Sequence, residues 1–141
     1  MAKQSPTEHA FQAIKLGKSI EDLADSATRP SVGVYLNDYI IKRGLSIEVT
    51  ANLAGLNKTS LYRIIKGNTN ASRNVLLRLS RVLHMSYEET QTLLKYGNTA
   101  TLSGSNARDI YIMSAIYHDK DIYEIDEILF GHRLPEISSN G

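Results

Sequence analysis

Within nine residues the chain places Lys58, Thr59, Tyr62, Arg63 and Lys66 at positions that share the outer side of a helix: two amines, a hydroxyl, a phenol and a guanidinium. None is aliphatic. Such a face is available to something outside the fold, and its cations can meet phosphate oxygens. The opposite positions are apolar. Leu61 and Ile64 lie three apart with Leu56 before them, so all three can turn toward one core. Charge gathers in the same region, although the net charge is only +1. Lys and Arg against Asp and Glu number 4 to 4 over residues 1–30, 9 to 4 over 31–96 and 3 to 7 over 97–141. Between Lys42 and Arg81 the single acid is Glu48, against Lys42, Arg43, Lys58, Arg63, Lys66, Arg73, Arg78 and Arg81. A basic segment of this kind is the electrostatic footprint of a phosphate-binding surface. Arg73, Arg78 and Arg81, on a later helix, read as ordinary solvent-side charges.

The stretch that must hold this face, Ile47–Lys66 (IEVTANLAGLNKTSLYRIIK), has the spacing of a helix-turn-helix. A short helix from about Ile47 to Ala54 brings Ala51 under a crossing second helix, where a larger side chain would push the axes apart. Gly55 then turns the chain, just past a helix end, where left-handed backbone costs glycine least. Asn57 can cap the second helix by accepting from its first-turn N–H groups.

Helix signals continue on both sides. Ser5-Pro6 opens a first helix ending near Gly17, and Ser19 with Asp22 resembles a capping box for a second short piece. Pro30-Ser31 marks a boundary. From Ser31 a helix carrying Tyr35, Leu36, Tyr39 and Ile40 runs to about Arg43, and Ser46 caps the first motif helix. Ser72 caps a helix with Val75, Leu76, Leu79 and Val82, while Ser86 and Glu89 form a capping box for a helix ending at Gly97. After a polar loop, Asn106 to His118 carries Ile110, Met113 and Tyr117 on one side and Ile112 and Ile116 on another. Asp121 with Glu124 opens a last helix with Ile122, Ile125, Ile128 and Leu129, ended by Gly131 and Pro135. The expectation is an all-α chain in three parts: an N-terminal helical arm (1–30), a five-helix domain (31–96) and an acidic two-helix C-terminal extension (97–141). The extension either completes the bundle core or serves dimerisation or partner binding.

Gly44-Leu45-Ser46, Ala51 and Gly55, Arg63-Ile64 with Lys66-Gly67, and Leu76-Leu77-Arg78-Leu79 together resemble the lambda-repressor-like (Cro/C1-type, XRE) helix-turn-helix family over about residues 32–86. The resemblance implies a second motif helix in the major groove of double-stranded DNA, with dimers reading two half-sites. Carried over by position, the groove-facing candidates are Asn57, Lys58, Thr59 and Tyr62, with Arg63 and Lys66 nearer the phosphates. Lys58 and Asn57 could donate to guanine or adenine edges, and the Thr59 methyl could touch a thymine methyl. Capping competes with base reading at Asn57. The chain departs from the family pattern at Ile47, where many members carry a phosphate-holding glutamine, at Thr50, usually leucine, and at Ala71, commonly proline.

Other chemistries find little support. Gly17-Lys18-Ser19 lacks the earlier glycine of a phosphate loop, where Gln12 stands. Asp119 and Asp121 imitate a calcium loop, but Glu124 and Phe130 occupy its glycine and closing-glutamate positions. His9, His84, His118 and His132 are scattered and there is no cysteine, so neither a metal site nor a disulfide framework is expected. No catalytic arrangement is recognisable, so the expectation is a non-enzyme without cofactors. No uncharged apolar run approaches the roughly 20 residues that span a bilayer, and a cytoplasmic location is expected. The leading reading is a sequence-specific DNA-binding transcriptional regulator acting as a homodimer. The alternative is an antitoxin-like or adaptor-like module binding a partner protein through residues 106–130.

Overall fold

In the computed structural model, the described residues are Phe11, Ile14, Lys15, Gly17 and 31–139. The chain divides into two compact units, Met1–Pro30 and Ser31–Gly141. In the first, Phe11, Ile14 and Lys15 are helical and exposed, and Gly17 follows in left-handed backbone at φ +78°, its N–H donating to the Ile14 carbonyl. The expected helix start at Ser5-Pro6 and the capping pair Ser19 and Asp22 lie outside the described residues.

Residues 31–139 form seven α-helices and no strand. Each is preceded by a short polar side chain that accepts from an otherwise unpaired first-turn N–H. Ser31 caps α1 (Val32–Lys42), Ser46 caps α2 (Ile47–Leu53) and Asn57 caps α3 (Lys58–Ile65). Ser72 caps α4 (Arg73–Val82) and Ser86 caps α5 (Tyr87–Tyr96). Asn106 caps α6 (Ala107–Tyr117) and Asp121 caps α7 (Ile122–Gly131). Ser86 with Glu89 and Asp121 with Glu124 close complete capping boxes.

One core runs through all seven. Leu36 and Ile40 of α1 join Ala51 of α2, Leu61 and Ile64 of α3, Leu76, Leu77 and Leu79 of α4, and Leu93 and Leu94 of α5. Ile112 and Ile116 of α6, and Ile125 and Leu129 of α7, are buried in the same cluster. Each fully buried aliphatic side chain contributes about 1.5–3 kcal/mol relative to exposure. Of the two packing roles open for the C-terminal helices, completion of the core is therefore realised: α6 packs on α5 and α7 on α4. Ile137, fully buried, adds a last apolar contact from the segment beyond α7.

Two features set the motif's geometry. Thr50, at a position where leucine is usual, is fully buried with its hydroxyl donating to the Ser46 carbonyl at 2.8 Å. Its methyl packs while its polar atom is satisfied within its own helix. Gly33 lets α1 approach α3 closely: a Cβ there would overlap the Ile65 carbonyl oxygen and lie 2.7 Å from its carbon.

The arginines of α4 correct the reading of their positions as solvent-side charges. Arg78 and Arg81 are buried, at 7% and 4% exposure. Arg78 donates from Nε to the Ala54 carbonyl at 2.8 Å and from Nη1 to the Ile137 carbonyl at 2.7 Å. Arg81 donates from Nη2 to the Met85 carbonyl. Arg73 grips Asp109 of α6 and the Ala100 and Thr101 carbonyls, and Arg43 binds the Leu83 and His84 carbonyls. The physical reason is common to several of them. Helix ends leave carbonyls without an N–H, and a planar guanidinium with five donors can reach two of them at once. Ala54 and Leu83 are such C-caps. Burial pulls the Arg78 and Arg81 guanidiniums below their ordinary value, partly countered by the charges of Asp126 and Asp119.

Candidate nucleic-acid interface

The face expected to act as a site is carried by α3, which α1 and α2 hold from beneath. Leu61 and Ile64 are 0% and 4% exposed, so the helix cannot rotate without lifting them from the core. That fixes the other side outward. Lys58, Thr59, Tyr62, Arg63 and Lys66 are all exposed, as is Asn57 at the helix start. The six therefore fall on one connected surface, from the cap to the last turn.

Their local partners are few. Asn57 Oδ1 accepts from the Ser60 N–H at 2.7 Å, which commits that oxygen to capping. Lys58 Nζ lies 4.0 Å from Glu48 Oε2, with both side chains about two-thirds exposed, a pair too solvated to hold either in place. Lys66 Nζ sits 5.3 Å from the centre of the Tyr62 ring, a cation–π contact that keeps an ammonium over a half-exposed phenol. Among the described residues, Thr59 and Arg63 have no side-chain hydrogen-bond or ion-pair partner, and both are exposed. Ile47 is half-buried and packs against the core, its side chain facing inward instead of supplying a polar contact.

The basic footprint is smaller than the sequence suggested. Among the described residues, Arg43, Arg73, Arg78 and Arg81 each bind carbonyls of the protein, although Arg43 stays exposed, so the exposed cations around the motif that hold no carbonyl are Lys42, Lys58, Arg63 and Lys66. No local sequence signal marks which arginines are internal, because their acceptors stand 4 to 59 positions away.

Residues 31–93 match a family model described as a helix-turn-helix domain. This segment is a helix-turn-helix domain. Its first and second motif helices are α2 and α3, joined through Gly55 at φ +72°. A helix-turn-helix domain supports DNA binding, since units of this type carry their second helix to the major groove. The match ends within α5, leaving α6, α7 and the closing segment beyond the helix-turn-helix domain. No curated protein and no solved structure matches the chain. Among the described residues no helix is long and apolar enough to cross a membrane.

Proposed function

We propose that this chain is a sequence-specific transcriptional regulator that lays α3 in the major groove, two copies reading a two-fold-symmetric operator. The observation that carries this reading is the division of α3: Leu61 and Ile64 are locked in the core, and Lys58, Thr59, Tyr62 and Arg63 face out. Lys58 and Thr59, in the first turn, are the base-edge readers, because the N-terminal residues of a recognition helix approach the bases. Tyr62 reads one turn later. Arg63 and Lys66 neutralise phosphates, and Asn57 serves the interface by capping the helix that carries the others.

Binding selection from a random duplex library at moderate salt tests it. Enriched sites with two inverted half-sites about one helical turn apart are expected. Selected pools no different from random duplex would refute sequence-specific reading.

A second reading, a module that binds another protein, draws on one observation. Tyr123 and Phe130, two turns apart on α7, remain 87% and 74% exposed although α7 is docked. Because α6 and α7 share the domain's core, truncating them would uncover it, so the double substitution Tyr123→Ser with Phe130→Ser is the cleaner discriminator. A partner module loses its partner and keeps any DNA binding; a regulator that uses α3 alone is unaffected.

A further inference from the structure

Helix α6 is docked along one side and bare along the other. Ile112, Ala115 and Ile116 are buried, whereas Ala107, Ile110, Ser114 and Tyr117 are exposed, Ile110 at 48% and Tyr117 at 83%. At about 100° per residue these four share an arc of about 80°, on the side of the helix away from the core. Their steps of three, four and three residues are those of a helix-pairing seam.

The seam also lacks charge. Helices α1, α2, α3, α5 and α7 each turn a charged side chain to solvent, among them Asp38, Glu48, Arg63, Lys95 and Glu127. On α6 the only Asp, Glu, Lys or Arg residues are Arg108 and Asp109, and both are spent on the protein. Arg108 donates to the Pro135 carbonyl at 2.7 Å and to Asn74 Oδ1 at 2.8 Å, and Asp109 is held by Arg73. A solvated helix face ordinarily carries charges, and an uncharged one bearing large apolar side chains is suited to a partner.

Shape decides which partner. Small and large residues alternate along the seam, Ala107 then Ile110, Ser114 then Tyr117. Against a second copy of α6 running antiparallel, with the two-fold axis at the level of Ile112, Tyr117 falls opposite Ala107 and Ile110 opposite Ser114. Each large side chain then meets a small one, twice over by symmetry. A parallel copy would set Tyr117 on Tyr117 and Ala107 on Ala107, a wedge that packs poorly. No seam residue sets a charge against its own copy.

We infer that α6 pairs with α6 of a second copy of this chain, antiparallel, with Ile110 seated on Ser114 and Tyr117 on Ala107. A single pair of eleven-residue helices, each about 16 Å long, falls below the roughly 1,200 Å² at which stable interfaces begin. The dimer is therefore weak and forms where copies are concentrated, as on adjacent half-sites. This deepens the two-copy part of the proposed DNA reading, and because its test contains no DNA the two can fail separately.

Sedimentation equilibrium of the full chain from about 10 μM to about 1 mM is expected to show monomer and dimer in exchange, half-dimeric at about 100 μM. Ser114→Glu changes an exposed residue, so the fold is retained and the melting temperature holds. It should raise the dimerisation midpoint about tenfold or more, because pairing would bury two unpaired carboxylates. The chain has no cysteine, so Ile110→Cys and Ser114→Cys report the geometry. On mild oxidation a mixture of the two variants should form the cross-link between positions 110 and 114 above its statistical proportion, with little cross-linking of either variant alone. A chain monomeric over the whole range, a dimer indifferent to Ser114→Glu, or cross-links of like with like would each overturn the inference.

Discussion

Arg73 of α4 holds Asp109 of α6 through two parallel hydrogen bonds, Nη1 to Oδ1 at 3.0 Å and Nη2 to Oδ2 at 2.8 Å. The pair joins the helix-turn-helix domain to the helices beyond it, and the Asp109 side chain is only 5% exposed. Burial by itself would raise the Asp109 carboxyl. The Arg73 hydrogen bonds, the Ser103 N–H and the charges of Arg73 and Arg108 outweigh burial and hold it below its ordinary value. Its folded value is therefore lower than its unfolded one, so the pair contributes stability above about pH 4 and loses it as the pH falls through the folded value. Asp109→Asn should cost about 2–4 kcal/mol at pH 7, since it strands a half-buried guanidinium. In urea denaturation the gap between variant and parent should narrow at pH 3; an unchanged gap would contradict a charge-based contribution.

Gly33→Ala should destabilise the protein although alanine is the better helix former by about 1 kcal/mol. The added methyl meets the Ile65 backbone, which cannot swing aside as a side chain would. A net loss of about 2 kcal/mol or more is expected by thermal denaturation. A more stable alanine variant would show that α1 and α3 are not in such close approach.

Asn57→Ala should cost about 1 kcal/mol and Asn57→Ser only a few tenths, because serine also caps. If the serine variant retains operator affinity as well as stability, the residue acts through the cap. A base-reading role predicts instead that serine keeps stability and loses preference at one base pair.

On a selected operator, Lys58→Ala and Thr59→Ala should relax base preference, whereas Lys66→Ala should weaken all duplexes alike and reduce the salt slope by about 1 per copy. Internal use of four arginines limits that slope. With Arg63 and Lys66 from each of two copies on phosphates, log affinity against log salt should fall with a slope of about −4. A slope beyond about −8 would require cations from outside the motif.

Arg78→Lys should loosen the segment around Ile137. Lysine cannot bridge the Ala54 and Ile137 carbonyls with a rigid fork, and about 2–3 kcal/mol is expected to be lost. Amide exchange at Ile137, whose N–H donates to Asp126, should accelerate more than exchange in α5. Uniform acceleration across the domain would instead indicate simple global destabilisation.

Helix starts were legible because they are local: Ser31, Ser46, Asn57, Ser72, Ser86, Asn106 and Asp121 each cap through the N–H three positions on, and a reader of sequence can see that spacing. The outward face of α3 was legible for a similar reason, since Leu61 and Ile64 define the inward one. The fate of the arginines was not. Arg78 finds its carbonyls 24 and 59 positions away, and nothing in the alternation of a helix announces an acceptor brought by tertiary packing. The same holds for the aliphatic faces of α6 and α7, whose periodicity announces burial but not the surface that provides it. Tyr117, placed by its spacing on one apolar side of its helix, stands 83% exposed.

The separation of α3 into an anchored side and an uncommitted side makes the helix behave as an exchangeable cassette. Among the described residues, Thr59 has no side-chain hydrogen bond, Lys58 pairs with Glu48 at 4.0 Å across solvent, and the Tyr62 ring lies under the Lys66 amine. Randomising Lys58, Thr59 and Tyr62 together should therefore yield a library in which nearly every member melts like the parent, so that new binding preferences can be sought without first repairing the scaffold.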